Sequence, residues 1–356
     1  ICLYGWPAVF ITLFYEPKFL RWLINVRGEW LGVDWLWLPN KALSFFILWY
    51  LGALFYAIYP RIEKRAPKKR VSPVHEPFLK RNTFHPEIAD LAILGGGVIG
   101  SAEYFKASTS EKIKRVFLFE KYAKVAEVNS NVLANAETQH EGAKETNFSL
   151  EKALRMQKLA RPQIAFLKER GAGVYIEMPS MVISTNSKEA ELLRARFEML
   201  KAHYPDLRLI GADEISAIEP KVVEGRSEEE KQHLIALYSM GYAVDYEKLA
   251  ESFVREGDKE AKERSKDFRA YFKTKVRGIN RDKGCNYVIR TSEGVFRARA
   301  ISICAGPYSL MFARDLHLNG AEDFAILPVA GSFYYTKEKF LNGKVYTPQD
   351  ETIKFA

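Results

Sequence analysis

Three glycines that follow a short apolar stretch are the first residues in this sequence whose spacing points to chemistry. Residues 91–94 are apolar, and Gly95, Gly97 and Gly100 then give the spacing G-x-G-x-x-G. Where a strand turns into a helix, the first glycine permits the tight turn, the second lets backbone approach a pyrophosphate, and the third lets the helix pack on the strand. The free N–H groups and the dipole at the start of that helix favour the charge of a diphosphate.

The residues around the motif indicate dinucleotide binding. Residues 101–107 are compatible with a helix, and a second apolar strand, 116–119, ends in Glu120. At this distance from the glycines a carboxylate accepts hydrogen bonds from the ribose of an adenosine. A glycine-rich turn without a ligand is the alternative interpretation. The motif alone does not distinguish FAD from NAD.

The next segment, residues 125–148, favours FAD. Its sequence, VAEVNSNVLANAETQHEGAKETNF, resembles the malate:quinone oxidoreductases, in particular the divergent, shorter form of that family. Glu137 stands where the family usually has glycine, and Phe148 where it has tyrosine. The residues that carry the resemblance are Ser130, Asn131, Asn135, Ala136, Thr138, His140, Glu145 and Asn147.

The resemblance covers residues 88–356 and implies which residues bind FAD. It assigns cofactor contacts to Ser130, Asn131, Asn135 and Thr138, in addition to the glycines and Glu120. The run His140-Glu141-Gly142 matches a His-x-Gly of the wider superfamily that passes beside the flavin.

Four later segments occur in the order expected from the resemblance. Residues 241–257 resemble the segment in which a strand of the substrate domain returns to a helix. Residues 328–335 resemble the segment in which the chain enters the substrate domain again. Residues 270–279 alternate in polarity and predict one strand, and the resemblance implies that Val276 contacts adenine through its backbone. Residues 296–306 resemble the strand of these families that ends beneath the diphosphate, where the small Ala305 and Gly306 would allow close approach.

His140 is the candidate catalytic base. Oxidation of a 2-hydroxy acid requires removal of the hydroxyl proton as hydride leaves the same carbon, and a neutral imidazole near a flavin suits that proton. The alternative is a histidine that only hydrogen-bonds the cofactor or the backbone. A dicarboxylate substrate also needs cationic partners, best supplied by arginine, but the sequence singles out no arginine for that role.

The net charge of +9 is concentrated in one short segment. Between Arg61 and Arg81 eight Lys or Arg residues and two Glu residues contribute +6, which argues against a nucleic-acid partner. Cys2, Cys285 and Cys304 form no CxxC pair and no Cys/His cluster with zinc spacing. We therefore predict reduced thiols in a cytosolic compartment and no metal site.

An uncharged stretch before the basic segment predicts membrane attachment. Residues 42–59 are long and apolar enough for a spanning helix, and Trp35, Trp37 and Tyr59 flank them as interfacial aromatics do. Residues 1–15 are a second span or part of an interfacial helix. Because Lys and Arg collect on the cytoplasmic side, we expect the flavin domain on the cytoplasmic face of the inner membrane. A buried helix of a soluble core is the alternative.

These features predict an α/β fold, with a Rossmann-type FAD-binding domain interleaved with a substrate domain on a mixed or antiparallel sheet. Both chain ends read as cut, so we expect a carboxy-terminal part to be missing. The predicted parts are a membrane region (1–60), a basic tether (61–87), a FAD-binding part (88–150), a substrate-domain part (151–265), a FAD-domain return (266–327) and the start of a second substrate-domain part (328–356).

By resemblance, the expected function is oxidation of L-malate to oxaloacetate through FAD, with a membrane quinone as electron acceptor and the lipid bilayer as a partner. Three alternatives remain. One is the same chemistry on another 2-hydroxy acid, on glycerol 3-phosphate or on an amino acid. The others are an NAD-dependent dehydrogenase and a non-catalytic membrane protein with a vestigial nucleotide-binding fold.

Overall fold

The structure, a computed structural model, describes residues 84–284, 286–327, 331 and 336–349. The predicted span 42–59, most of the predicted tether, and all of 328–335 except Gly331 lie outside these ranges. Within them, none of the helices has both the length and the apolarity needed to cross a bilayer. The predicted end of the tether, at residue 87, is wrong, because the first strand already begins at Phe84.

A six-stranded mixed sheet forms the first layer. The strands are β1 (Phe84–Leu94), β2 (Arg115–Phe119), β6 (Asp267–Tyr271), β7 (Val276–Arg281), β8 (Tyr287–Thr291) and β9 (Val295–Ile303). Four neighbouring strands in the order β6-β2-β1-β9 are parallel, and β8 and β7 continue the sheet as an antiparallel extension of β9.

Two helices cover one face of the parallel strands. Helix α1 (Val98–Thr109) follows β1, and α7 (Tyr246–Glu263) packs against it. The contact between the helices is close, because a Cβ on Gly257 would lie 2.9 Å from the ring of Tyr104. Tyr104 is fully buried, and its hydroxyl donates a hydrogen bond of 2.7 Å to Asp258. The paired helices fix where the N-terminus of α1 points.

A four-stranded mixed sheet, in the order β10-β3-β5-β4, forms the second layer. Strand β5 is antiparallel to both β3 and β4, and β10 is parallel to β3. Apolar clusters occupy both faces of this sheet. The strands are β3 (Tyr175–Ile183), β4 (Arg208–Gly211), β5 (Ile235–Val244) and β10 (Lys344–Tyr346). The helices are α2 (Leu150–Arg170), α3 (Ser187–Leu200), α4 (Ala212–Ile218), α5 (Pro220–Val223) and α6 (Glu228–His233), with α8 (Ser309–Asp315) after β9.

The expected α/β class with mixed sheets is confirmed, and so is the strand-to-helix passage over 241–257. The single strand expected over 270–279 is wrong. Strand β6 ends at Tyr271, and a turn with Lys273 at φ +52° separates it from β7, which begins at Val276. The turn is closed by backbone hydrogen bonds from Lys273 to Tyr122 and from Thr274 to Glu120. Polarity alternates across the turn as it does along a strand, and this concealed the break.

Candidate functional site

The glycine motif lies at the carboxyl ends of the parallel strands. Backbone hydrogen bonds join these ends: Gly95 N donates to Phe119 O (2.9 Å), and Cys304 N donates to Leu94 O (2.8 Å). Glu120 N donates to Tyr271 O (2.9 Å) and extends the same edge. Ligands of open α/β sheets bind at this edge of the strands.

The three motif glycines are required for different reasons. Gly95 has φ +107°, and an added Cβ would lie 2.4 Å from the carbonyl oxygen of Cys304. A Cβ on Gly100 would lie 2.0 Å from the carbonyl oxygen of Gly95, so α1 can approach the turn only with glycine there. Among the described residues, a Cβ on Gly97 would meet only Ser130 Oγ, at 3.6 Å. Protein packing therefore explains Gly95 and Gly100, whereas Gly97 leaves space that fits a ligand.

The other groups at this edge suit a dinucleotide. Glu120 is 8% exposed, and its carboxylate accepts hydrogen bonds from Gly96 N (2.8 Å) and Tyr122 N (2.9 Å). Each carboxylate oxygen retains lone pairs for a ribose hydroxyl. Ser130 Oγ accepts a hydrogen bond of 3.1 Å from Val98 N, the first N–H of α1. Ser130 thus stands where a diphosphate oxygen would bind the helix N-terminus.

The remaining predicted cofactor contacts occupy varied positions. Asn131 donates a hydrogen bond to Glu247 (2.7 Å), and Asn135 donates to the carbonyl oxygen of Asn131 (2.8 Å), so both side chains hold the loop itself. Val276 and Ala305 are partly buried against the apolar cluster of the first sheet. Gly306 has φ +57° and begins a short 3-10 turn after β9.

Side chains from three elements, α7 beside the first sheet and β10 and α3 of the second layer, hold the irregular segment from Glu120 to Ser149. Glu247, at the start of α7, accepts hydrogen bonds from Lys124 and Asn131. Lys344 of β10 donates to the carbonyl oxygens of Ala136 (2.7 Å) and Glu137 (2.8 Å), and to Thr138 Oγ1 (2.7 Å). These holding residues were absent from the sequence prediction, because their contacts span more than one hundred residues of chain.

Arg196 of α3 is the third holding residue. It is 3% exposed, and its guanidinium donates to the carbonyl oxygens of Gly142 (2.8 Å), Ala143 (3.4 Å) and Phe148. Burial holds the pKa of Arg196 below its ordinary value. All its described hydrogen bonds go to backbone, so Arg196 shapes the turn at 142–148 and is occupied there.

His140 and Glu145 form a hydrogen-bonded pair across that turn. His140 Nδ1 contacts Glu145 Oε1, while the imidazole is 57% exposed and Glu145 only 12% exposed. Burial alone would raise the pKa of Glu145, but the hydrogen bond and charge of His140, together with backbone N–H groups, hold that pKa below its usual range.

Glu137 has a strained backbone and an unsatisfied side chain. Its φ is +50°, in the left-handed region that favours glycine, which is the usual residue at this position in the family it resembles. Its Oε1 atom is buried without a hydrogen-bond partner among the described residues. Burial, and then the charge of Asp245, raise the pKa of Glu137.

Known proteins resemble this chain over most of its length. The family model described as FAD dependent oxidoreductase (DAO) matches residues 90–354. The malate:quinone oxidoreductase of Helicobacter pylori is 32% identical over 274 residues, which cover 75% of this chain and 59% of that protein. The chain thus spans less than two thirds of the length of this relative.

Two solved structures share the fold. Glycine oxidase from Geobacillus kaustophilus aligns with a TM-score of 0.54 at 22% identity, over 73% of this chain and 66% of that one. L-alpha-glycerophosphate oxidase from Mycoplasma pneumoniae, with FAD bound, aligns with a TM-score of 0.54 at 18% identity, over 73% and 65%. These likenesses show the fold alone. The family model confirms that FAD is the cofactor, as the sequence predicted.

The strain at Glu137 predicts an unusual order of stability. Glycine adopts a left-handed backbone without the steric cost of about 1–2 kcal/mol that a Cβ brings. Glu137→Gly should therefore be more stable than Glu137→Ala by about 1 kcal/mol, although glycine is normally the less stable choice. Urea unfolding of the two variants measures the difference. An alanine variant at least as stable as the glycine variant would contradict the left-handed geometry.

The space beside Gly97 predicts a separation of folding from cofactor binding. Gly97→Val should fold, because the nearest protein atom to the new Cβ is 3.6 Å away, yet it should lose FAD because the side chain enters the diphosphate space. Flavin absorbance of the purified protein and its thermal unfolding measure the two properties. Gly211→Val is the matched control, since no atom of another part of the described chain lies within 4 Å of its Cβ. A Gly97→Val variant as yellow as the parent would refute the assignment.

Proposed function

The chain belongs to the DAO family of FAD-dependent oxidoreductases, and we propose that it oxidises L-malate to oxaloacetate and passes the electrons to a membrane quinone. The observation that carries the proposal is the His140–Glu145 pair on the segment that leads away from the dinucleotide site. The name of the Helicobacter pylori relative supplies the substrate and the acceptor.

The residues that would hold FAD are those at the carboxyl edge of the first sheet. The backbone of the Gly95–Gly97 turn and the N-terminus of α1 would bind the diphosphate, and Glu120 would bind the adenosine ribose. Ser130 would exchange its hydrogen bond with Val98 N for one to the diphosphate. When bound, FAD accepts the hydride that leaves the substrate carbon.

His140 would remove the hydroxyl proton. Its Nδ1 is engaged with Glu145, so the tautomer with the proton on Nδ1 leaves Nε2 with a lone pair for the substrate hydroxyl. Once Nε2 carries that proton, the imidazolium is stabilised by the Glu145 carboxylate, which is held ionised by the same hydrogen bond. Glu145 thereby acts as a positioning residue for His140.

The main alternative is the same chemistry on a different substrate. Another 2-hydroxy acid, glycerol 3-phosphate or an amino acid would also present a proton to His140 and a hydride to the flavin. The solved structures share too little sequence to favour their own substrates. The malate:quinone oxidoreductase relative favours malate.

Membrane attachment completes the proposal. Quinones are dissolved in the bilayer, and a tethered enzyme has a higher effective concentration there. The support comes from the sequence: residues 42–59 carry no charge, and basic residues follow them. We place the flavin domain on the cytoplasmic face of the inner membrane.

Anaerobic addition of L-malate should bleach the oxidised flavin band of the purified protein. His140→Ala should slow this bleaching by about 100- to 10,000-fold while FAD stays bound, because a general base contributes that much to rate. Glu145→Gln should slow the bleaching less than His140→Ala does, since the imidazole remains and loses only its orienting charge. Stopped-flow absorbance measures the rate of flavin bleaching in the parent, in His140→Ala and in Glu145→Gln.

His203→Ala is the control for this experiment, because His203 is exposed and its side chain makes no described contact. A flavin that malate does not bleach would overturn the substrate assignment and leave the flavoprotein assignment in place. An unchanged rate in His140→Ala would remove His140 from the mechanism.

The membrane proposal has its own test. The chain should remain with membranes after a carbonate wash, because a spanning helix resists extraction at high pH and high salt. A variant with Leu48→Lys and Leu51→Lys should lose this resistance, since each lysine costs about 2.5–3.5 kcal/mol at the centre of a spanning helix. Release of the parent chain by carbonate would contradict a spanning segment at 42–59.

A further inference from the structure

Most cations near the His140 turn are occupied by the protein itself. Arg196 donates to three backbone carbonyls, and Lys344 donates to three oxygens of residues 136–138. Lys124 and Lys248 pair with carboxylates at the start of α7. Each of these four cations thus already has a carboxylate or carbonyl oxygen as a close partner within the protein.

Lys144 differs from these residues. It follows the His140-Glu141-Gly142 run, and its ammonium has a single described hydrogen bond, a long one of 3.4 Å to the carbonyl oxygen of Met240. Among the described residues, no carboxylate oxygen lies within 4 Å of Nζ. An ammonium group has three donors, and Lys144 uses one of them weakly.

The surface beneath Lys144 is open because of a glycine. A Cβ on Gly241 of β5 would lie 3.5 Å from Lys144 Nζ and 2.8 Å from Ser180 Cβ on the adjacent strand. A larger residue at 241 would clash with Ser180 and meet the ammonium. The glycine thus lets the lysine lie against the β3–β5 surface, partly withdrawn from water.

We propose that Lys144 binds the substrate carboxylate that is remote from the oxidised carbon, and so selects dicarboxylates over monocarboxylates. The inference rests on the proposed function, because it takes His140 as the group that meets the hydroxyl. Lys144 and His140 flank one turn, and Glu145 hydrogen-bonds His140 across it. A ligand with a hydroxyl at one end and a carboxylate at the other can address both.

The electrostatics agree with this geometry. Burial lowers the pKa of Lys144 to about 8, against the smaller opposing effects of Glu141 and Glu145. A cation whose charge is destabilised by burial gains more from a carboxylate than an exposed one does. Of the two acids, Glu145 already accepts from His140, and burial raises the pKa of Glu141.

A binding experiment tests the inference without turnover. The FAD-loaded protein is titrated with malonate, a dicarboxylate, and with acetate, while the flavin spectrum or the heat of binding is followed. The parent should prefer malonate by about tenfold or more, as expected for a charge-assisted hydrogen bond. Lys144→Met should lose this preference, and Lys144→Arg should keep most of it. Lys201→Met, an exposed lysine paired with Glu198, is the matched control and should behave as the parent.

The pH dependence supplies a second readout. As pH rises through about 8, Lys144 loses its charge, so the malonate preference of the parent should fall. Lys144→Arg should hold its preference, because arginine stays protonated there. The charged neighbours are His140, Glu141 and Glu145 on the turn, with Lys168 of α2 and Glu177 of β3 acting on Glu141. None of these is altered in the comparison of lysine with arginine.

The outcomes separate the two proposals. Equal malonate and acetate affinities in the parent, or an undiminished preference in Lys144→Met, would overturn the role of Lys144. Loss of preference in Lys144→Met supports that role even if malate fails to bleach the flavin, a result that would count against the malate assignment alone. If malate bleaches the flavin equally in parent and Lys144→Met and malonate binds both equally, the proposed function stands and the Lys144 inference falls.

Discussion

Close approach of backbone to backbone at the carboxyl edge of the first sheet is the constraint on which the site depends. Helix α1 can start where it does because Gly100 has no side chain to meet the carbonyl oxygen of Gly95, 2.0 Å from where a Cβ would be. Gly95 in turn lies against Cys304, which brings the end of β9 beside the turn. With these contacts made, the first N–H groups of α1, the Glu120 carboxylate and the residues after β9 all face one edge. A side chain at either glycine would separate the helix from the strands and remove that arrangement.

The segment from 120 to 149 has no continuous backbone ladder of the kind that joins the strands of the sheets. It makes one isolated bridge, from Thr138 to Ala243 of β5, a few backbone hydrogen bonds near its start, and further contacts with side chains from other elements. Glu247, Arg196 and Lys344 are mostly withdrawn from water and bind it through charged hydrogen bonds, which are stronger than neutral ones. The cost of ordering an irregular loop is thus offset by groups that fold elsewhere. The geometry of the His140 turn is therefore a consequence of the second sheet and its helices, although the turn follows the nucleotide motif in sequence.

The parts of this architecture that follow from local pattern could be predicted from sequence. The strands at 91–94 and 116–119 and the helix-compatible stretch at 101–107 lie in β1, β2 and α1, because apolar runs and a glycine turn act over a few residues. The turn between β6 and β7 could not be predicted, since its closing hydrogen bonds go to Glu120 and Tyr122. The holding role of Arg196 was equally inaccessible: as a sequence feature it is one arginine on an amphipathic helix. For the candidate site, the glycines and Glu120 could be predicted as cofactor contacts from their spacing, whereas Glu145 as the partner of His140 depends on how the turn closes.

In the two proposals, acid–base chemistry and anion binding on the His140 turn use different hydrogen-bond partners. If His140 and Lys144 shared one carboxylate, protonation of the imidazole would weaken the hold on the ammonium. Instead Glu145 is engaged by His140 and lies more than 4 Å from Lys144 Nζ. Under the two proposals, an incoming carboxylate neutralises Lys144, and the proton taken from the hydroxyl is neutralised by Glu145 within the same turn. The charge of Glu145 also raises the pKa of Lys144, so the proposed acid–base group and the proposed anion-binding group are coupled through this carboxylate.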